Sequence, residues 1–269
     1  MEKTVVMKRN PPTVLYKYKD ITGDGIKHFE CMLRKNEIWF SSPMHFNDPF
    51  DCRCFFDIRN TREEIVTRKA NFLVEREKYS QAKAIAEAET EIPSDVDEWQ
   101  RKKVEENSHR TANSGMLCLT PLCDNFLMWT HYAAHHKGIC IRFRIRDINP
   151  ETHIKFIASA LPIEYVDNCL QINFVRDSPL DISHKAFFTK ASRFNYEREW
   201  RIVEYNEGEG LKPLPAGIID AVILGCQINQ KDAERVINAC ATYDGDIEIF
   251  RAELCPETYG LTIKYERTV

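Results

Sequence analysis

The residues Asn195 to Val203 read N-Y-E-R-E-W-R-I-V, with two carboxylates two positions apart and a guanidinium two positions further on. On a strand, alternation sets Glu197, Glu199, Arg201 and Val203 on one face and Tyr196, Arg198, Trp200 and Ile202 on the other. Trp200 and Ile202 can anchor that strand in a sheet while the front presents charge. Such a face is either a site or a salt-bridge ladder. Glu and Arg on a solvated strand face are common and need no chemistry, so the ladder is the default. What the Glu199 face looks into, a cleft or bulk water, decides between them.

Other chemistries leave weaker signals. His131, His135 and His136, with Cys118 and Cys123 upstream, form the strongest cluster of metal-ligating types. His131 and His135 stand four apart, the spacing that converges two imidazoles on zinc from one helix face. No Glu follows His131, so the H-E-x-x-H pattern fails, and His135 and His136 read as C-terminal helix residues before Gly138. No metal is expected. No cysteine sits at a helix start after a tight turn, where thiolates are activated. Neither G-x-G-x-x-G nor G-x-x-x-x-G-K-[ST] occurs, which argues against Rossmann and P-loop enzymes.

The elements that would position these groups follow from pattern. Val14 to Tyr18 (V-L-Y-K-Y) is a strand, Ile26 to Arg34 a short helix and Glu37 to Phe40 a second strand. Ser41 to Asp51 mixes two prolines with cap-prone residues, so it is a structured loop. There Asn47 and Asp48 either initiate a turn before Pro49 or stand, with Asp51, at a cleft mouth. Thr61 and Glu64 form a capping box, and Ile65, Phe72, Tyr79 and Ala86 recur every seven residues, predicting one amphipathic helix to about Glu91 with Phe72 and Tyr79 buried. A second helix follows Pro93, so residues 58–112 are an inserted helical lobe in a single domain spanning 1–269. Further strands are expected at Gly115 to Thr120, Ile139 to Ile145, Leu161 to Val166, Ala221 to Leu224, Ile247 to Leu254 and Leu261 to Tyr265. Helices are expected at Asn125 to His136, Ser183 to Ala191 and Lys231 to Tyr243. Strands and helices do not alternate regularly, which predicts an α+β fold with a mixed, largely antiparallel sheet.

The chain has 269 residues, 43% of them hydrophobic, and a net charge near -4, which argues against the basic surface that non-specific nucleic-acid binding needs. No window approaches about eighteen uninterrupted apolar residues, so no membrane partner is expected. Without an export signal the ten cysteines read as reduced thiols in a cytoplasmic protein.

Four stretches resemble the DUF2971 family: L-Y-K-Y at Leu15 to Tyr18, W-F-S-S-P-x-x-F-N-D-P-F-D at Trp39 to Asp51, L-M-W-T-H-Y-A at Leu127 to Ala133, and Y-E-R-E-W-R-I at Tyr196 to Ile202. The layout also resembles the ADP-ribosyltransferase superfamily: an early strand with a nucleotide-holding residue, an aromatic and hydroxyl region, and a strand bearing E-x-E. It departs from that pattern on the first strand, where Tyr16, Lys17 and Tyr18 replace the common Arg or His. It also lacks a Ser-Thr-Ser element, for which Ser41 and Ser42, or Thr130 with Tyr132, would stand in.

This second resemblance implies an NAD-dependent transfer of ADP-ribose to a macromolecular acceptor, nucleic acid or protein, by a toxin or phage-defence effector with a partner or antitoxin protein. Glu199 would stabilise the cationic ribose, Glu197 would orient or deprotonate the acceptor, Arg201 or Lys17 would hold phosphate, and Trp129 or Tyr132 would pack on nicotinamide. The competing readings are a non-catalytic interaction module with a structural salt-bridge ladder and, third, a metal-dependent hydrolase or nuclease.

Overall fold

The computed structural model describes residues 12–145 and 150–269. In chain order the elements are β1 (Val14–Lys19), α1 (Gly25–Lys35), β2 (Glu37–Phe40), β3 (Phe55–Phe56), α2 (Arg62–Glu77), α3 (Gln81–Glu91), α4 (Val96–Ala112), β4 (Gly115–Leu119), α5 (Phe126–Tyr132), β5 (Ile139–Arg144) and α6 (Pro150–Ala158). There follow β6 (Leu161–Pro162), β7 (Glu164–Val166), β8 (Gln171–Ile172), α7 (Pro179–Phe187), β9 (Thr189–Ala191), β10 (Trp200–Glu204), β11 (Gly210–Pro213), β12 (Ile219–Leu224), α8 (Gln230–Cys240), β13 (Glu248–Cys255) and β14 (Gly260–Thr268). The fold is α+β, with mixed and mostly antiparallel sheets. The chain divides into two compact units: Met1–Ser41, Gly115–Ile163 and Arg193–Val269 make one, and Ser42–Ser114 with Glu164–Ser192 the other.

The first unit is built on a five-stranded sheet in the order β1-β5-β12-β13-β14. Only β12 and β13 run parallel, and a parallel pair needs a crossover, which α8 supplies. Period-two alternation hands the two sheet faces to different partners. Leu15, Ile141, Phe143 and Val222 pack with Phe29 and Leu33 of α1 and Val236 of α8. Tyr16, Tyr18, Cys140 and Ile223 cluster with Met128 and Trp129 of α5. Helix α1 stops at Asn36, whose left-handed backbone (φ 54°) returns its N–H to the Met32 carbonyl. A second sheet runs β4-β10-β6, and β2 pairs with β11. The end of β4 abuts β1, since Tyr16 and Thr120 exchange backbone hydrogen bonds of 2.7 and 2.9 Å.

The second unit holds α2, α3, α4 and α7. Thr61 and Glu64 form the expected capping box at the start of α2. The single helix expected to reach Glu91 is instead two, because Lys78 turns left-handed (φ 60°) and Ser80 caps α3 by accepting from the Lys83 N–H. Tyr79 and Ala86 therefore lie beyond the helix that carries Ile65, and Phe72 is 40% exposed rather than buried. The buried stripe is Ile65, Val66, Ala70 and Leu73 against Ala84 and Ala88, where small residues let α2 and α3 approach. Polar α4 is tied in by fully buried Gln100, whose Oε1 accepts from Asn60 Nδ2 at 2.9 Å. Two short parallel pairs, β3 with β8 and β7 with β9, complete this unit.

Three further expectations change. The strand expected over Leu161 to Val166 is split at Ile163 into β6 and β7. The helix expected over Ser183 to Ala191 starts earlier, at Pro179 behind a Ser178/Asp181 capping box, and gives way to β9. Asn125 to His136 is helical only as far as Tyr132. Among the described residues no helix is long and apolar enough to cross a membrane.

Large-to-small truncation of Phe29, fully buried, should cost about 3–5 kcal/mol in chemical denaturation, whereas exposed Phe72→Ala should stay within about 0.5 kcal/mol. Equal losses would mean that the α2 stripe is misassigned. Cys240 is buried and its thiol is pushed up from 9.0 to about 12 by burial. A raised folded value gives stability that is present below the unfolded value and lost as pH rises toward the folded one. Cys240→Ala should therefore remove one proton, about 1.4 kcal/mol per pH unit, from the fall in unfolding free energy above pH 9.

Candidate functional site

The E-x-E stretch does not form one strand. Ser192–Glu197 is a 3-10 turn, Arg198 takes a left-handed backbone (φ 44°), and β10 begins only at Trp200. A left-handed residue between the two acids breaks the alternation that would have kept them on one face. Neither is solvated: Glu197 is 2% and Glu199 5% exposed.

Glu197 joins the aromatic side of the first unit. Its Oε1 accepts from Tyr132 Oη at 2.7 Å, and its backbone carbonyl accepts from Thr120 Oγ1 at 2.7 Å. Asn125 caps α5 by accepting from the Met128 N–H and donates through Nδ2 to the Tyr196 carbonyl, which fixes the helix that carries Tyr132. Trp129 is held by Nε1–H donation to the Cys123 carbonyl at 2.9 Å and meets Tyr18 edge-on at 5.2 Å. Tyr16 packs against the same cluster, its phenol pushed up to about 12 by burial and then by the neighbouring Cys123.

Glu199 joins the other group. Arg201, with no exposed surface, donates from Nε to Oε1 at 2.6 Å and from Nη2 to Oε2 at 3.0 Å, a bidentate ion pair. Arg201 lies opposite Cys118 in the β10–β4 register, and burial followed by the Glu199 charge raises the Cys118 thiol. Lys17 points to this side of β1 and donates to the Cys118 carbonyl at 3.4 Å. Burial holds the Lys17 ammonium below the usual lysine range, while the charges of Cys118 and Glu199 act in the opposite direction.

The remaining sequence candidates separate. Ser41 is occupied in a backbone bridge with Met116 at 2.9 Å in both directions. Thr130 donates to the Phe126 carbonyl and meets His136 Nε2 at 3.1 Å. Ser42, Asn47 and Asp48 belong to the second unit. There Ser42 caps the Pro43–His45 turn and donates to the Ala112 carbonyl, Asp48 accepts from the Phe50 N–H as a turn initiator, and Asn47 is exposed. His131 and His135 do not share a helix face, because Ala134, His135 and His136 form a left-handed run (φ 48°, 54° and 67°) after α5 ends. Among the described residues no group of three His, Cys, Asp or Glu is arranged to hold a metal ion. Thr120, Asn125 and Cys118 act here as positioning residues, a role that the sequence did not assign to them. Their signal is a cap before an apolar run and a strand end, which marks structure and not a site.

The segment that carries Trp129, Tyr132, Glu197, Glu199 and Arg201 is also the segment that similarity singles out. Residues 128–202 match the family of proteins of unknown function DUF2971. No curated protein and no solved structure matches the chain. The DUF2971 match thus contains both carboxylates and their partners Tyr132 and Arg201.

Removing the guanidinium should expose what the ion pair does for the fold. Arg201→Leu takes the bidentate guanidinium from the buried Glu199 carboxylate, with an expected loss of about 3–5 kcal/mol, while the double variant Glu199→Leu/Arg201→Leu should recover much of that loss. A double variant no more stable than Arg201→Leu alone would show that the two groups do not depend on each other.

Proposed function

We propose that the chain transfers ADP-ribose from NAD to a macromolecular acceptor. The observation that supports it is the bidentate Glu199–Arg201 pair beside Lys17, a carboxylate immobilised where water is excluded. In the reaction the nicotinamide–ribose bond breaks, nicotinamide leaves with the bonding electrons, and the ribose C1′ becomes cationic. A preorganised negative charge lowers that barrier more than it lowers the ground state. Glu199 has this role, and Arg201 fixes Glu199. The acceptor then bonds to C1′ and gives its proton to Glu197, which Tyr132 orients. Trp129 and the Tyr16 and Tyr18 rings provide the aromatic surface for nicotinamide. A toxin or phage-defence setting, with a neutralising partner or antitoxin protein, forms part of this proposal through the resemblance of the motifs.

The same burial favours a second reading. A bidentate pair with a fully buried guanidinium is what a purely structural clamp looks like, and a non-catalytic interaction module would need nothing more.

Incubation with labelled NAD separates the two. A transferase releases nicotinamide and labels protein or nucleic acid in a cell extract. Glu199→Gln should cut both signals by about two to three powers of ten, while Glu197→Gln should depress labelling more than nicotinamide release. A wild-type protein that does neither, at any NAD concentration tried, leaves the structural reading.

A further inference from the structure

On the face of β1 that α1 covers lies a cavity of about 600 Å³. Its walls are apolar, from Met32 of α1, Ile38 and Trp39 of β2, Ile141 of β5 and Leu211 of β11. The charged groups around it are mostly of one sign: Lys17 and Lys19 from β1 and Lys35 from α1, against the single carboxylate of Glu37. Volume and lining match the apolar clefts with a few polar groups that hold small molecules.

The carboxylates that act on these lysines, Glu199 on Lys17 and Asp20 on Lys19, do so without a direct ion pair. None of Lys17, Lys19 and Lys35 forms an ion pair among the described residues, and the one hydrogen bond of Lys17 is the 3.4 Å contact to the Cys118 carbonyl. Lys17 and Lys19 are alternate residues of one strand, so both ammonium groups project to the same face, one repeat apart. Burial holds both below the usual lysine range, and the Lys17 charge depresses Lys19 further. Two neighbouring cations in an apolar recess are costly without an anion.

We propose that this cavity binds a small organic anion, an apolar ring-sized body lying among Met32, Ile38 and Trp39 with its carboxylate or phosphate against Lys17 and Lys19. Trp39, half exposed, closes over the ring, and exposed Lys35 extends the positive rim. A neutral ligand of the same shape would fill the apolar walls but leave the lysines uncompensated. The site requires no reaction at Glu199, so it stands whether or not the chain uses NAD.

The test is calorimetric titration of the whole chain with naphthoate, naphthyl phosphate and the neutral naphthyl methanol. At least one anion should bind about tenfold or more tightly than the alcohol. Binding of naphthoate alone assigns the site to organic carboxylates, and tighter binding of the phosphate assigns it to phosphate esters. Lys19→Met should weaken the anion about tenfold, and Lys35→Met, on the exposed rim where folding is not at stake, should weaken it by a smaller factor. Cys31 lines the same cavity, so the bound anion should slow its alkylation by maleimide, read by peptide mapping, while exposed Cys169 reacts as before. Equal affinity for the alcohol, unchanged affinity in Lys19→Met and Lys35→Met, an unprotected Cys31, or no binding of either anion at millimolar concentration overturns the proposal.

Discussion

Glu199 and Arg201 are buried together, and neither is tolerable there alone. Burying a single charge costs several kcal/mol, which only a well-formed partner offsets. Glu199 directly follows the left-handed Arg198 and Arg201 lies just inside β10, so the pair ties the incoming turn to the strand. Arg201 is in turn placed by the β4 register opposite Cys118, and the Lys17 ammonium reaches the Cys118 carbonyl from β1. The ion pair and the Lys17 contact thereby tie together β10, β4 and β1.

Alternation on β1 does the rest of the sorting. Tyr16 and Tyr18 face α5, where Trp129 and Tyr132 form an aromatic cluster that receives Glu197. Lys17 and Lys19 face α1 and open onto the cavity. A single strand therefore serves two chemically distinct environments, one aromatic and hydrogen-bonded, the other apolar and cationic. Strain accompanies the first: three consecutive left-handed residues after α5, at roughly 1–2 kcal/mol each. That turn is anchored where the Gln227 N–H donates to the His136 carbonyl at 3.0 Å, and Gly225 approaches the same carbonyl so closely that an added Cβ would lie 2.2 Å from it.

Much of the fold was legible locally. The strands around Leu15, Ile141 and Val222 carry period-two apolar patterns that survive in any context, and Thr61 with Glu64 announces its helix through side-chain chemistry alone. Three of the departures fall where a backbone φ above zero occurs at a residue other than glycine. Lys78 splits the helix expected to run through Tyr79, the left-handed run from Ala134 keeps the one that stops at Tyr132 from reaching His136, and Arg198 breaks the strand expected from Asn195. Lys, His and Arg carry no local signal for that conformation, because only surrounding packing makes it worth adopting. Helix α6, opened by Pro150, was missed for another reason: it is short and has only His153 and Ile157 buried.

By itself the sequence determined the α+β class, the apolar faces of the main sheet, and a stretch in which Glu197, Glu199 and Arg201 had to be neighbours, since spacing along the chain is covalent. Whether those acids shared a face, met water or met each other was not covalent. The left-handed turn at Arg198 sent Glu197 to Tyr132 and Glu199 to Arg201, and tertiary packing alone pays the cost of that turn. The lysine-lined cavity likewise exists only because β1, α1, β2 and β11 meet around it, and its residues stand too far apart in sequence for any local pattern to join them.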